Sequence, residues 1–235
     1  VQVVEPEISQ PSRQSMADAA HAAIKRAIIR CELTPGQVVT EGELAARYGV
    51  GKAAVRLAFN RLQQDGLVQS LGRQGYRIAP ITLDMVEDLF TVRLILESAA
   101  VRLAAAKITP SELAYLTELN EARYQPGDIE SVDAFLRINT AFHTSIARSS
   151  GSPRLAELVG NLHLDLERVM HFGHLLYDIG HLAHNEHQEL IEALAAGDAD
   201  QAERAIVSEV RDAQQGILVA LMSSPSLRQI NLAAP

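Results

Sequence analysis

Apolar positions recur at helical spacing along most of the chain and are interrupted by proline and glycine at a few sharp points. Ala20, Ile24, Ala27 and Ile28 share one face of a helix expected from about Met16 to Arg30, and Thr34-Pro35-Gly36 ends it. Val38-Val39 reads as a short strand. Thr40 with Glu43 three residues on is a capping box, so a second, short helix begins at Glu41 and stops at Gly49. Val55, Ala58, Phe59 and Leu62 stand at i, i+3, i+4 and i+7 of a third helix, Lys52 to Asp65. Asp65-Gly66 closes it. Leu67–Ser70 and Gly75–Ile78 then read as two strands joined by Leu71-Gly72-Arg73-Gln74. Residues 1–14, with Pro6 and Pro11 and no period, read as a flexible arm.

Beyond Pro80 the pattern is helical throughout. The expected helices are Leu83–Lys107, Ser111–Arg123, Ser131–Ser149, Pro153–His171, Ile179–Ala196 and Ala199–Met222. Thr109-Pro110 and Ser152-Pro153 each place a capping residue before a proline at the first helical position. Gly151 and Gly197 sit where helices end, and Asp198 with Gln201 resembles a further capping box. No internal repeat is present. The fold class expected is mainly α: a winged helix-turn-helix over residues 15–80, then an all-α six-helix bundle over residues 81–235 for effector binding and dimerisation.

Composition narrows this picture. The 235 residues are 47% hydrophobic and 21% charged, with no Trp, which favours helices over a sheet protein. No stretch of 18 or more apolar residues occurs, so no membrane span is expected. Glu5, Pro6 and Glu7 stand where a secretory leader needs a basic and then apolar start, and the expected location is cytoplasmic. Cys31, the single cysteine, can form neither an internal disulfide nor a thiolate zinc site. The net charge of −8 is unevenly divided. Residues 1–80 hold ten Lys and Arg against seven Asp and Glu, a balance of +3, and the rest hold eleven against 22, a balance of −11. Seven of the eight histidines lie between His143 and His187.

The basic first part suits nucleic acid. Tyr48-Gly49-Val50-Gly51 makes the tight turn, and the third helix would enter the major groove by its N-terminal end. Lys52 and Arg56, one turn apart and away from Val55 and Phe59, can reach phosphate or guanine edges, and Arg73 stands at the wing tip. On spacing alone the same face also suits a solvated structural helix. Glu32-Leu-Thr-Pro-Gly36, Glu43-Leu-Ala-Ala-Arg-Tyr-Gly-Val50, Val55-Arg56, Leu62-Gln-Gln-Asp-Gly-Leu-Val68 and Gly75-Tyr-Arg-Ile78, in this order, resemble the GntR family of bacterial transcription regulators. The resemblance implies a homodimer on an inverted-repeat operator, with Arg47, Lys52, Ala53, Arg56, Arg73, Gln74 and Gly75 at the DNA. Gly51, Lys52 and Ala53 replace the usual Ser or Thr, Arg and Thr, and Leu57 replaces a Glu. An operator different from the common one is therefore expected.

The second part resembles the FCD effector domain of the FadR-type branch. The carrying residues are Asp88-Leu-Phe-Thr-Val-Arg93 with Glu97, Asn139-Thr-Ala-Phe-His143, Ser150-Gly-Ser-Pro-Arg-Leu155, Glu186-His187, and Ala193-Leu194 with Gly197-Asp198. Its six helices are closer to the VanR-like subgroup. The resemblance implies one divalent transition metal at Asn139, His143, His187 and Glu209, zinc first and nickel or manganese next. Asn139 stands there for the usual Asp, and Glu209 for a His. Asn139 and His143, at i and i+4, leave one face of one helix. Without the resemblance, His143 and His187 equally suit satisfied polar residues of a bundle core.

Arg93 lies in an otherwise apolar run. It suits either a small carboxylate effector or an ion pair with Glu97 or Asp88. His184 and Asn185 are further effector candidates, with His184 also a substitute or supporting ligand. His171, His174 and Tyr177 are candidates to line the pocket. H-E-x-x-H, G-x-S-x-G and phosphate-loop signatures are missing, so an enzyme is not expected. The expected function is a repressor released by a small organic acid bound at or near the metal. The alternatives are a metal-ion-sensing regulator and a metal-dependent enzyme.

Overall fold

The computed structural model describes residues 13–176 and 180–223, with side chains described over 16–174 and 185–223. Residues 1–12, most of the expected arm, lie outside the described residues. The chain divides into two compact units, Val1–Pro80 and Ile81–Pro235.

In the first unit α1 (Arg13–Ile29) begins inside the stretch expected as arm. It buries Ala17, Ala20, Ile24, Ala27 and Ile28 against the apolar face of α3 (Lys52–Gln64), where Val55, Ala58, Phe59 and Leu62 are fully buried. Between them lie β1 (Val38–Val39) and α2 (Glu41–Tyr48). The capping box forms as the pattern predicts: Glu43 N donates to Thr40 Oγ1 at 3.2 Å, and Thr40 N donates to Glu43 Oε2 at 2.7 Å. Gly49 ends α2 at φ 64°, a left-handed conformation that lets the chain turn at once into α3. The wing strands β2 (Val68–Ser70) and β3 (Tyr76–Ile78) pair antiparallel, with β3 central in the order β1-β3-β2. A short 3₁₀ turn, Gly72–Gln74, joins them. Tyr76 stacks on Phe59 with ring centroids 4.0 Å apart, fastening the wing to α3.

The second unit holds α4 (Leu83–Ala105), α5 (Pro110–Asn120), α6 (Ile129–Ser149), α7 (Pro153–Leu176), α8 (Gly180–Ala195) and α9 (Ala199–Ser223). Thr82, Thr109 and Asp128 cap α4, α5 and α6 through their side-chain oxygens. Several boundaries differ from the periodic pattern, α4 among them, which ends at Ala105, short of the expected Lys107. Helix α5 stops at Asn120, short of the expected Arg123, because the Arg123 side chain turns back to donate to the carbonyls of Asn120 and Ala122, both at 2.8 Å. Helix α6 starts at Ile129, ahead of Ser131, because Asp128 accepts from Glu130 N and Ser131 N. Helix α7 runs past His171 to Leu176 and carries Gly173 in its interior. Helix α4 packs on α6, α7 and α9, and α9 also packs on α7 and α8. The polar residues that α4, α6, α7, α8 and α9 bury among these apolar faces form the centre described next.

Candidate functional site

The exposed side of α3 faces a cleft of about 450 Å³ lined by Thr40, Glu41, Gly42, Lys52, Arg56, Gly72, Arg73, Gly75 and Tyr76. Lys52, Ala53, Arg56, Arg73 and Gln74 are all exposed, while Ala54, Val55, Ala58 and Phe59 are buried behind them. The N-terminus of α3 and the wing turn therefore border one concavity that offers three cations. Arg47 lies outside this lining, held to Glu32 at 3.1 Å. Gly75 is required by position. Its φ of 104° is unfavourable for other residues, and a Cβ there would run into the Val39 backbone carbonyl.

Sequence reasoning missed Glu41. It accepts both Arg56 Nε at 2.8 Å and Arg56 Nη2 at 2.7 Å, a bidentate pair. Tyr76 Oη donates to the same carboxylate at 3.4 Å. Hydrogen bonding to Arg56 holds the Glu41 carboxyl below its ordinary value despite partial burial.

In the bundle, α4 contributes Arg93 and Glu97, α6 His143, α7 His163, α8 His187 and α9 Glu209, all buried. Arg93, only 1% exposed, donates to Glu97 Oε1 and to Glu209 Oε1, each at 2.9 Å. His143 Nδ1 stands 3.0 Å from Glu97 Oε2 and its Nε2 stands 3.2 Å from Glu209 Oε1. His163 Nε2 donates to Glu97 Oε1 at 2.7 Å. Of the two openings left by the sequence for Arg93, the ion pair with Glu97 is present, and Glu209 shares it. His163, which the sequence pattern did not connect to the centre, belongs to it. Its only sequence signal was its place on the apolar face of α7.

Burial opposes charge throughout, and the pairings decide where charge survives. Against burial, Arg93 and His143 hold Glu97 well below the usual carboxylate range, and His143 and His187 do the same for Glu209. Burial also disfavours charge on His143, but Glu97 and Glu209 outweigh it and push its pKa up to about 9. Burial prevails for His163, pushed down to about 4, and for His187, also lowered. At neutral pH the centre thus holds Arg93 and His143 as cations, Glu97 and Glu209 as anions, and two neutral imidazoles. Its net charge is zero.

With the His143 proton released, the centre also has the ligand set for a cation. His143, His187 and Glu209 each bring a ligand atom, and these atoms lie within 4.8 Å of one another. His187 Nε2 and Glu209 Oε2, 3.8 Å apart, are buried and make no hydrogen bond among the described residues. Two imidazoles and a carboxylate without thiolate suit a divalent transition metal, and Glu97 beside His143 Nδ1 is the arrangement that orients a ligating imidazole. The residues present fit such an ion. Asn139 lies on α6 one turn before His143. Asn185 is exposed and is not brought to the centre, and the His184 side chain and Tyr177 lie outside the described residues. His171 belongs to another group, with Asp133 and Glu167, and His174 packs edge-on to Tyr124 and Phe135.

A winged head with a cationic cleft, and a helical unit built around a polar centre, define a DNA-binding transcription regulator. The sequence profile of the GntR family of bacterial regulatory proteins matches residues 16–78, and that of the FCD domain matches residues 88–211. The chain belongs to the GntR family and carries an FCD domain. It is 25% identical over 211 residues to the HTH-type transcriptional repressor RspR of Escherichia coli K12, covering 89% of this chain and 90% of that protein. A solved GntR regulator from Rhodococcus sp. RHA1 has a TM-score of 0.66 at 25% identity, over 88% of this chain and 99% of that one. E. coli McbR/YncC shares the fold, with a TM-score of 0.63 at 23% identity over 88% and 98%. No described helix is long and apolar enough to cross a membrane.

Proposed function

We propose that the chain is a repressor that binds an inverted-repeat operator as a homodimer and is released by a small organic acid sensed in the bundle. Lys52, Ala53, Arg56, Arg73, Gln74 and Gly75 meet the DNA, with Arg47 at the edge. In the bundle His143, His187 and Glu209, with Asn139, hold one divalent transition metal, zinc first, nickel or manganese next. When bound, that ion supplies Lewis acidity and open positions for a carboxylate. Glu97 orients His143, and Arg93 supplies the fixed positive charge beside the carboxylate's place. A ligand shifts DNA affinity only by preferring one arrangement of the protein over another, so the acid must bind the non-operator arrangement more tightly.

The observation that carries this reading is the buried pair His187 Nε2 and Glu209 Oε2 beside His143, which make no hydrogen bond among the described residues. The test is metal content per chain, by plasma mass spectrometry on tag-free protein dialysed without chelator. About one equivalent of a single transition metal is expected in the native protein, and none in a His143→Ala/His187→Ala variant. Equal metal in both would overturn the assignment.

A second reading, regulation by the metal ion alone, has its own support. Arg93 is already engaged by Glu97 and Glu209, so an organic acid must compete for it. DNA affinity that responds to zinc without any carboxylate favours this reading.

A further inference from the structure

The cleft on the head is cationic except for one carboxylate, and that carboxylate grips the residue best placed to read a base. We propose that Glu41 is a specificity-determining positioning residue, which holds the Arg56 guanidinium in one plane so that its outer edge presents two parallel donors to a guanine. This rests on the reading of Arg56 as a DNA contact.

A guanidinium has five N–H donors in a rigid fork. Glu41 takes the edge made by Nε and one proton of Nη2, at 2.8 and 2.7 Å. Nη1 and the remaining Nη2 proton are left on the far edge, the pair that matches O6 and N7 of guanine in the major groove. Glu41 is itself fixed. It stands at the first position of α2, directly after the Thr40 cap, and its side chain is only 19% exposed. Tyr76 Oη donates to it, and the Tyr76 ring is stacked on Phe59. The Arg56 side chain, in contrast, is 63% exposed. A long side chain that would otherwise sample many rotamers is thus ordered before it meets DNA, and ordering in advance reduces the loss on binding.

The same carboxylate works against phosphate. It places a negative charge among Lys52, Arg56 and Arg73, so it weakens sequence-independent attraction to the backbone. Glu41 therefore raises the ratio of specific to non-specific affinity from both sides. The ratio, rather than the affinity for any one duplex, is the quantity that reports its role.

The experiment selects binding duplexes from a random library with the full chain and with Glu41→Ala, Glu41→Gln and Arg56→Ala. The enriched wild-type duplex and the unselected library are then titrated against each protein. Circular dichroism and the melting midpoint establish that the variants are folded. The expected result is a guanine enriched by the wild type and lost alike in all three variants. For Glu41→Ala, affinity for the unselected library should be unchanged or higher. Its specificity ratio should fall about tenfold, about 1.4 kcal/mol. An unaltered motif and ratio in both folded Glu41 variants would overturn the proposal. So would a rise of equal factor for selected and unselected DNA, which would make Glu41 a simple phosphate repellent. An unaltered motif with Arg56→Ala would remove the underlying reading of Arg56, a result distinguishable because it appears in that variant alone.

Discussion

Replacing Arg93 with Met removes one cation from a buried set of two cations and two anions. Met keeps much of the aliphatic volume, so the loss is mainly electrostatic. Arg93 donates to Glu97 and Glu209, each at 2.9 Å, and neither carboxylate can reach water where it lies. Removing one partner of a buried pair costs about 3–5 kcal/mol, because the other charge stays behind uncompensated. For a domain of about 150–250 residues each kcal/mol moves Tm by about 2–4 °C. The expected fall is therefore roughly 6–20 °C. Scanning calorimetry on chelator-treated protein at neutral pH measures it. Adding Glu209→Gln to Arg93→Met removes the stranded charge, so the double variant should lose less than the sum of the singles, by about 0.5–3 kcal/mol of coupling. A fall under about 2 °C, or strict additivity, would refute the view that the centre is a balanced set of charges.

Gly75→Ala forces a strained backbone and a collision with the Val39 carbonyl. The wing should shift and the head should lose about 1–3 kcal/mol, with weakened DNA binding in a fluorescence anisotropy titration. Wild-type affinity in that titration would mean the wing does not touch DNA. Asn139→Asp replaces an amide oxygen with a carboxylate one turn before His143. Zinc affinity, measured by chelator competition, should rise about tenfold or more, about 1.4 kcal/mol. Unchanged affinity would remove Asn139 from the ligand set.

The head was legible in the sequence because its determinants are local. Thr40 and Glu43 define a helix start within four residues, and the spacing of Val55, Ala58, Phe59 and Leu62 alone says which side of α3 is buried. The bundle helices were legible for the same reason. Their ends moved where a side chain outside the apolar period intervened, as Arg123 and Asp128 do. The i,i+4 pair of Arg93 with Glu97 was legible, but the polar partners on other helices were not legible from periodicity. Glu41 and Arg56 are fifteen residues apart on different helices, and Arg93 and Glu209 are 116 apart. Periodicity assigns a residue to a face but does not choose its partner across the core. His163 shows this well, since it occupies an apolar face of α7 and only the packing of α4 brings Glu97 to it.

The stack of Phe59 on Tyr76 has a consequence for how this regulator can diverge. Because α3 and the wing are pinned from behind, their pitch is fixed, and the outward positions 52, 53, 56 and 57 stand outside the head's apolar core. If these positions meet DNA as proposed, substitutions there would rewrite the operator alphabet while the apolar core stays as it is, which makes the head a socket with exchangeable contacts.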